Sequence, residues 1–388
     1  MLSSKLTILA SVIYKPESFF ILSVKIRNNM NKKAALIEIS TAHDECLYSQ
    51  LCFLKDSGYE TELICSSVLK DKISSIASDF VTTFFSFGKN IVSDFNNLLS
   101  LRRYLIQKKF NKVIFNSADG IRIRNLLLFT FPMEIEFAGI LHDSEKVIRS
   151  GNQKFINKKV KKYFVLNDYV LDYVNSLKVG KQIFESVYTI FQPGFNSGEI
   201  SKPADEFWVC IPGRVEQKRR DYNQLIRSLS QTSLNENVKI ILLGSTDDNL
   251  KRQLKETIKK LNLSEQVILF EKFLDNKTFY SYLKLSDIVL PLIHPSAVWF
   301  DKYFKTQISG SYNMAFTYKT PLLCEKSFST YEDFKDTSFF YEVENVIGRI
   351  NELASDKNKF IKQINSMYKL PKWNYDFQRE KYIRFLES

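Results

Sequence analysis

Nowhere in the 388 residues do apolar side chains continue for the ~20 positions that a membrane-spanning helix requires. Cysteine is scarce. Cys46, Cys52, Cys65, Cys210 and Cys324 are odd in number and form no Cys-x-x-Cys pair, which argues against a disulfide scaffold or a zinc site and for a reducing, cytoplasmic compartment. Histidine occurs three times, at His43, His142 and His294, with no short ligand spacing, so no metal is expected. The first thirty residues lack the single apolar stretch and small-residue cleavage site of a signal peptide: Leu6 to Ile13 and Phe19 to Val24 are apolar, with Pro16 and Glu17 between them. Residues 1–29 therefore read as an N-terminal extension, and Met30-Asn31-Lys32-Lys33 as a second natural start. Acids are outnumbered, 43 against 55 Lys and Arg, a net charge of +12 that favours anionic partners. Nucleic acid has only this bulk charge in its favour, because no helix-turn-helix, zinc finger or aromatic RNA-binding signature is present. With 44% hydrophobic residues the chain is globular, and its length suits two domains.

What is present is a rhythm of short apolar runs and helical periodicity. Strands are expected at Ala35–Ile39, Glu62–Cys65, Lys112–Phe115, Glu136–Leu141 and Lys162–Leu166, with helices such as Asp44–Ser57, which Gly58 stops. The rhythm breaks into Pro, Gly and Ser between Pro193 and Asp205 and restarts at Phe207–Ile211. Strands at Val238–Leu243, Val267–Phe270, Ile288–Leu292 and Pro321–Cys324 then alternate with helices at Asp248–Leu261, Lys277–Leu285 and Ser311–Tyr318. Repeated strand–helix–strand units predict an α/β protein of two doubly wound, Rossmann-like domains facing a cleft. The expected division is 30–195 for the first domain, 206–370 for the second, and 371–388 for a final helix that crosses back to the first.

Two turns in the second half carry phosphate-binding chemistry. Gly213-Arg214 with Lys218 follows a strand and places two cations four residues apart, which suits a diphosphate, although Lys218-Arg219-Arg220 also reads as a solvated charge run. Ser309-Gly310-Ser311 opens a helix, where backbone N–H groups and hydroxyls suit a phosphate, and where plain N-capping is the other reading.

These features, in this order, resemble the second half of GT-B glycosyltransferases, closest to the family-four retaining group. The resemblance runs through Ile211 to Arg214 with Lys218, Ile240 to Gly244, Val267 to Phe273, Tyr282 to Pro291, and Ala315 to Leu322. It implies that Arg214, Lys218 and the amides of Ser309, Gly310 and Ser311 hold the diphosphate of a nucleotide-sugar donor, and that Gly244 and Phe273 meet the nucleobase. His142-Asp143 resembles the family's first-domain histidine segment, which makes His142 a catalytic candidate and places Asp143 and His43 on the acceptor side. The sequence departs from the family at its Glu-x7-Glu pair, since Thr306 and Met314 occupy that register. Asp301, the one acid between Asp287 and Glu325, is the candidate to replace it.

The expected activity is metal-independent, retaining sugar transfer to a sugar or lipid-linked acceptor in bacterial surface polysaccharide assembly, with no cofactor. An epimerase of the same architecture is the alternative; it requires a cluster of carboxylates in the first domain, and none is evident in the sequence. A non-catalytic basic binding protein is the third. The stretch from Lys146 to Lys162 carries seven cations and no acid, with Phe155, Ile156 and Val160 between them. It suits an anionic membrane surface, or else a solvated helix face.

Overall fold

The computed structural model describes residues 32–88, 90–194, 200–244, 248–270 and 274–388. The N-terminal extension and Phe273 lie outside the described residues. Two parallel sheets organise the chain. The first contains β1 (Lys33–Glu38), β2 (Glu60–Ser66), β3 (Val81–Phe85), β4 (Lys112–Phe115), β5 (Glu136–Leu141), β6 (Lys162–Leu166) and β7 (Ile183–Val187), in the order β3-β2-β1-β4-β5-β6-β7. The second contains β8 (Phe207–Pro212), β9 (Val238–Leu243), β10 (Val267–Leu269), β11 (Ile288–Val289), β12 (Leu322–Glu325) and β13 (Ser338–Tyr341), in the order β10-β9-β8-β11-β12-β13. In each, the order reverses beside the first strand, and ligands of such sheets bind beyond the strand ends at that switch point.

The main helices are α1 (Leu47–Asp56), α2 (Ile91–Gln107), α3 (Gly120–Leu128), α4 (Gly151–Ile156), α5 (Asp168–Ser176), α6 (Tyr222–Gln231), α7 (Asp248–Lys260), α8 (Asn276–Leu285), α9 (Gly310–Tyr318), α10 (Val346–Ser355), α11 (Lys357–Ile364) and α12 (Tyr375–Glu387). Local chemistry sets their ends. Gly58 adopts φ +83° just past α1, and its N–H donates to the Lys55 carbonyl, so the helix stops there. Asp221, Asp275, Asp356 and Asn374 accept from backbone N–H groups in the first turns of α6, α8, α11 and α12.

One hydrophobic cluster spans both domains, beside a separate one in each. Leu98, Phe115 and Tyr163 from the first domain belong to the same buried cluster as Trp208, Tyr312, Phe316 and Trp373. The chain passes between the domains twice. It does so between β7 and β8, and again at Trp373, after which α12 packs on α1 and the first sheet. Tyr382 in α12 is fully buried and stacks on Phe164 with centroids 4.4 Å apart, while Lys112 and Lys162 both donate to the Leu386 carbonyl at the helix end. The two passages touch: the Tyr188 N–H donates to Gln378 at 3.1 Å, and the Tyr188 ring meets Trp373 edge-on. No helix among the described residues is long and apolar enough to cross a membrane.

Candidate active site

A cavity of about 450 Å³ lies between the domains, at the carboxyl ends of both sheets. The second domain supplies Gly213 and Arg214 after β8, Leu243 and Gly244 after β9, Asn276, Phe279 and Tyr280 of α8, and Gly310, Asn313 and Met314 of α9. Asp44 and Glu45, after β1, face them from the first domain, with Thr189 and Gln192 from the segment after β7.

Glycine shapes the floor. A Cβ on Gly244 would lie 2.1 Å from the Gly213 carbonyl oxygen, so the turns after β8 and β9 approach this closely only because residue 244 has no side chain. Gly213 itself sits at φ +91°. Gly310 differs: a Cβ there meets nothing within 4 Å, and the residue stands at the first turn of α9 in open space. Its backbone N–H is among the groups that a helix start leaves without intrahelical partners. One turn on, the Asn313 side chain is buried with its Oδ1 unpartnered.

The structure separates the predicted second-domain residues. Arg214, Gly310 and Gly244 line the one cavity. Ser309 and Ser311 are buried, and their hydroxyls bond each other at 2.7 Å, so neither side chain lines it. Lys218 is also absent from the lining. Its ammonium pairs with Glu216 at 2.7 Å and lies 5.6 Å from the centre of the Trp299 ring, consistent with the charge-run reading. Asp301 is exposed and pairs with Lys305, one turn along a short helix outside the lining. In the register of the missing acid pair, Met314 lines the cavity, and the Thr306 carbonyl accepts from both the N–H and the hydroxyl of Ser144.

On the first-domain side, His43 and His142 stack with centroids 3.6 Å apart and planes 11° from parallel. They come from separate turns, after β1 and β5, which no sequence spacing links. His142 Nε2 lies 2.8 Å from the Asn116 carbonyl, and His43 Nδ1 lies 3.5 Å from Glu45. Burial, then the neighbouring His43, pushes the His142 pKa down to about 3. Burial also acts to lower His43, but the hydrogen bond and charge of Glu45, helped by Glu38 and Asp119, outweigh it and raise its pKa. The desolvation of Glu45 is likewise outweighed by His43, which holds its carboxyl below the usual range. Asp44 is raised, first by burial and then by Glu45. Asp143 caps its own turn by accepting from the Glu145 N–H.

Behind this pair, Glu38 is buried at the end of β1 and accepts from Asn116 and Ser117 at 2.7 and 2.6 Å. It lines a second cavity of about 260 Å³ with Asp94, Asp119 and Arg122. The expectation that the first domain lacks clustered carboxylates is thereby corrected: Asp44 and Glu45 face the main cavity, with Glu38 and Asp119 close behind. Asp44 and Glu45 directly follow His43 at a strand's carboxyl end, which was the available signal for them. His294 is fully buried between Asp221 and the Tyr341 hydroxyl, apart from the cavity, and the hydrogen bond to His294 is the first cause holding the Asp221 carboxyl low. Among the described residues no three His, Cys, Asp or Glu side chains form a group that could hold a metal ion.

No protein-family model and no curated protein sequence matches this chain. Solved structures do. A glycosyltransferase from Rickettsia africae superimposes with a TM-score of 0.62 over 92% of this chain and 98% of its own, at 14% identity. Anabaena HepE, solved in complex with UDP, gives 0.62 over 92% and 99%, also at 14% identity. A putative UDP-N-acetylglucosamine 2-epimerase from Listeria monocytogenes gives 0.62 over 92% and 96%, at 12% identity. These likenesses, with the two doubly wound sheets, show the GT-B fold.

Proposed function

We propose that this protein is a glycosyltransferase, acting on a UDP-sugar in the inter-domain cavity and transferring the sugar to an acceptor hydroxyl. One observation carries the reading: Arg214 and the start of α9 at Gly310 line the same cavity, opposite Asp44 and Glu45. A guanidinium and a helix N-terminus together make an anion site of the kind a diphosphate needs. Their positive field grows more favourable as the bond from the anomeric carbon to the phosphate oxygen breaks and charge collects on the departing diphosphate. That field supports transfer without a divalent metal.

The nucleobase fits against the Gly244 turn and the neighbouring Leu274, Phe279 and Tyr280. The sugar then extends toward Glu45 and the stacked histidines. The acceptor oxygen bonds the anomeric carbon on the face the diphosphate leaves, and its proton passes to the departing phosphate, which preserves the anomeric configuration. The carboxylates stabilise the positive charge that develops on the ring. Solved neighbours bound to UDP, to UDP-glucose, and to UDP with glucose support this donor and acceptor chemistry. The resemblance to family-four enzymes supports a role in bacterial surface polysaccharide assembly.

A second reading is favoured by Asp44, Glu45 and His43. Acids lining a nucleotide site, with a histidine beside one of them, are what an epimerase requires to move a proton at the sugar. Incubating the protein with UDP-glucose or UDP-N-acetylglucosamine, with and without a sugar acceptor, separates the two. UDP release that depends on acceptor supports transfer. Conversion of the donor to its epimer without acceptor replaces it with epimerisation, and failure of both nucleotides to bind removes both readings.

A further inference from the structure

We infer that the outer surface of α2, α3 and α4 is a docking face for an anionic bilayer. Of the fifteen large apolar side chains exposed among the described residues, eight fall between Ile91 and Phe155. Scattered singly such residues need no explanation, but these share one layer. The three helices pack side by side, burying Leu98, Leu101, Ile123, Leu126 and Ile156 on the core. Val92 and Phe95 of α2, Ile121 and Leu128 of α3, Met133 of the turn after α3, and Phe155 of α4 are left outward, between 48% and 98% exposed. The turn after α3 binds them together: Phe95 meets Phe129 with centroids 5.5 Å apart, and Lys159 donates to the Phe129 carbonyl.

Charge selects the occupant. Arg102, Lys158 and Lys159 lie against aromatic rings of this layer, Arg103 of α2 and Lys154 of α4 are exposed, and no ion pair among the described residues joins any of the five to a carboxylate. Arg102 and Lys159 both lie over Phe131, and Lys158 over Phe155, so the cations form a collar on the apolar patch. Glu134 is the one exposed acid in the turn after α3. A second copy of this chain would bring a like-charged collar against this one. Acidic head groups above an acyl layer match both parts. The face takes in only part of the run Lys146–Lys162, in which Lys146 pairs with Asp119 and Lys162 donates to the Leu386 carbonyl at the end of α12.

The face also borders the second cavity, whose lining includes Asp94 of α2 and Ile121 and Arg122 of α3, with Glu38 and Asp119 at its back.

The test is co-sedimentation of the full chain with phosphatidylcholine vesicles containing 0 or 30% phosphatidylglycerol (about 30%, a typical anionic load), with UDP binding measured by calorimetry on each variant. Binding is expected to the anionic vesicles alone. Phe95→Ser with Leu128→Ser should weaken it about tenfold, and Lys154→Ser, Lys158→Ser and Lys159→Ser about fivefold each. Lys305→Ser with Lys335→Ser, on the second domain, should leave it unchanged. No vesicle binding with UDP binding intact overturns this inference and leaves the donor site standing, and so does equal loss from the second-domain control. Concentration-dependent dimerisation abolished by Phe95→Ser also overturns it, by assigning the face to a second copy. Vesicle binding without UDP binding supports the docking face while removing the transferase reading.

Discussion

The rings of His43 and His142 lie face to face, 3.6 Å apart at their centres. Two stacked imidazolium ions would repel, so the pair holds one proton at most, and Glu45 beside His43 draws it there. His142 stays neutral in the folded protein, because its pKa is pushed down to about 3, while in the unfolded chain it protonates near its ordinary ~6.5. The unfolded state therefore binds more protons between those values, and stability falls as pH drops through that window. His43 has the opposite sign: its raised pKa stabilises the fold below about 6.5, and that contribution is lost as pH rises through its folded value. The thermal midpoint is expected to fall from pH 6.5 to 4.5 more steeply in the wild type than in His142→Asn. Parallel profiles would refute the assignment.

Arg214 lines the inter-domain cavity, whereas Lys218 pairs with Glu216. Arg214→Ala should weaken UDP binding about tenfold or more, the loss of one charge-assisted contact. Lys218→Ala should change it less than about threefold. Calorimetric titration of both variants checks the pair, and equal losses would return Lys218 to the diphosphate site.

Gly310 and Gly244 predict opposite failures. A side chain at Gly310 enters open cavity, so Gly310→Leu should abolish measurable UDP binding while leaving the unfolding free energy within about 0.5 kcal/mol. Gly244→Ala forces a methyl against the Gly213 carbonyl and should cost about 2 kcal/mol or more. Denaturant melts beside UDP titrations separate the two effects.

Tyr382 tests the returning helix. It is fully buried, stacks on Phe164 and donates to Gln50. Tyr382→Ala should destabilise the protein by about 3–5 kcal/mol, as for other large buried aromatics. Urea unfolding followed by fluorescence would show it, and a loss below 1 kcal/mol (about the scale of a surface change) would mean that α12 is only loosely held.

The sequence made the sheets legible where burial on both faces leaves long apolar runs, as in Val238–Leu243 and Glu136–Leu141. It was silent on β3 and β7, which lie at sheet edges and are partly exposed, so their composition carries less of that signal. The run at Ile288–Leu292 reads as five residues of strand, yet pairing ends at Val289, and Leu292 takes φ +54° beyond Pro291. Of the candidate site, Arg214 and Gly310 were readable because turn glycines mark strand-to-helix junctions. The stacking of His43 on His142 was not, because it depends on β1 and β5 flanking β4, a topological fact that local pattern does not encode. The pairing of Lys218 with Glu216 beside Trp299 was hidden for a related reason: which partner each cation of a run takes depends on how the turn folds back.

Both passages of the chain between domains run through one seam, where Tyr188 contacts Gln378 and Trp373. Two straps set side by side behave as a hinge. Relative motion of the domains is thereby confined to a swing about that seam, and sliding is resisted by the buried aromatic rings that bridge it. A swing that parted the lips of the cavity would have to break the bonds from Ser144 to the Thr306 carbonyl. The turn that carries His142 is thus tied directly to the one that leads into Gly310, so any such swing would move the histidine pair relative to the start of α9.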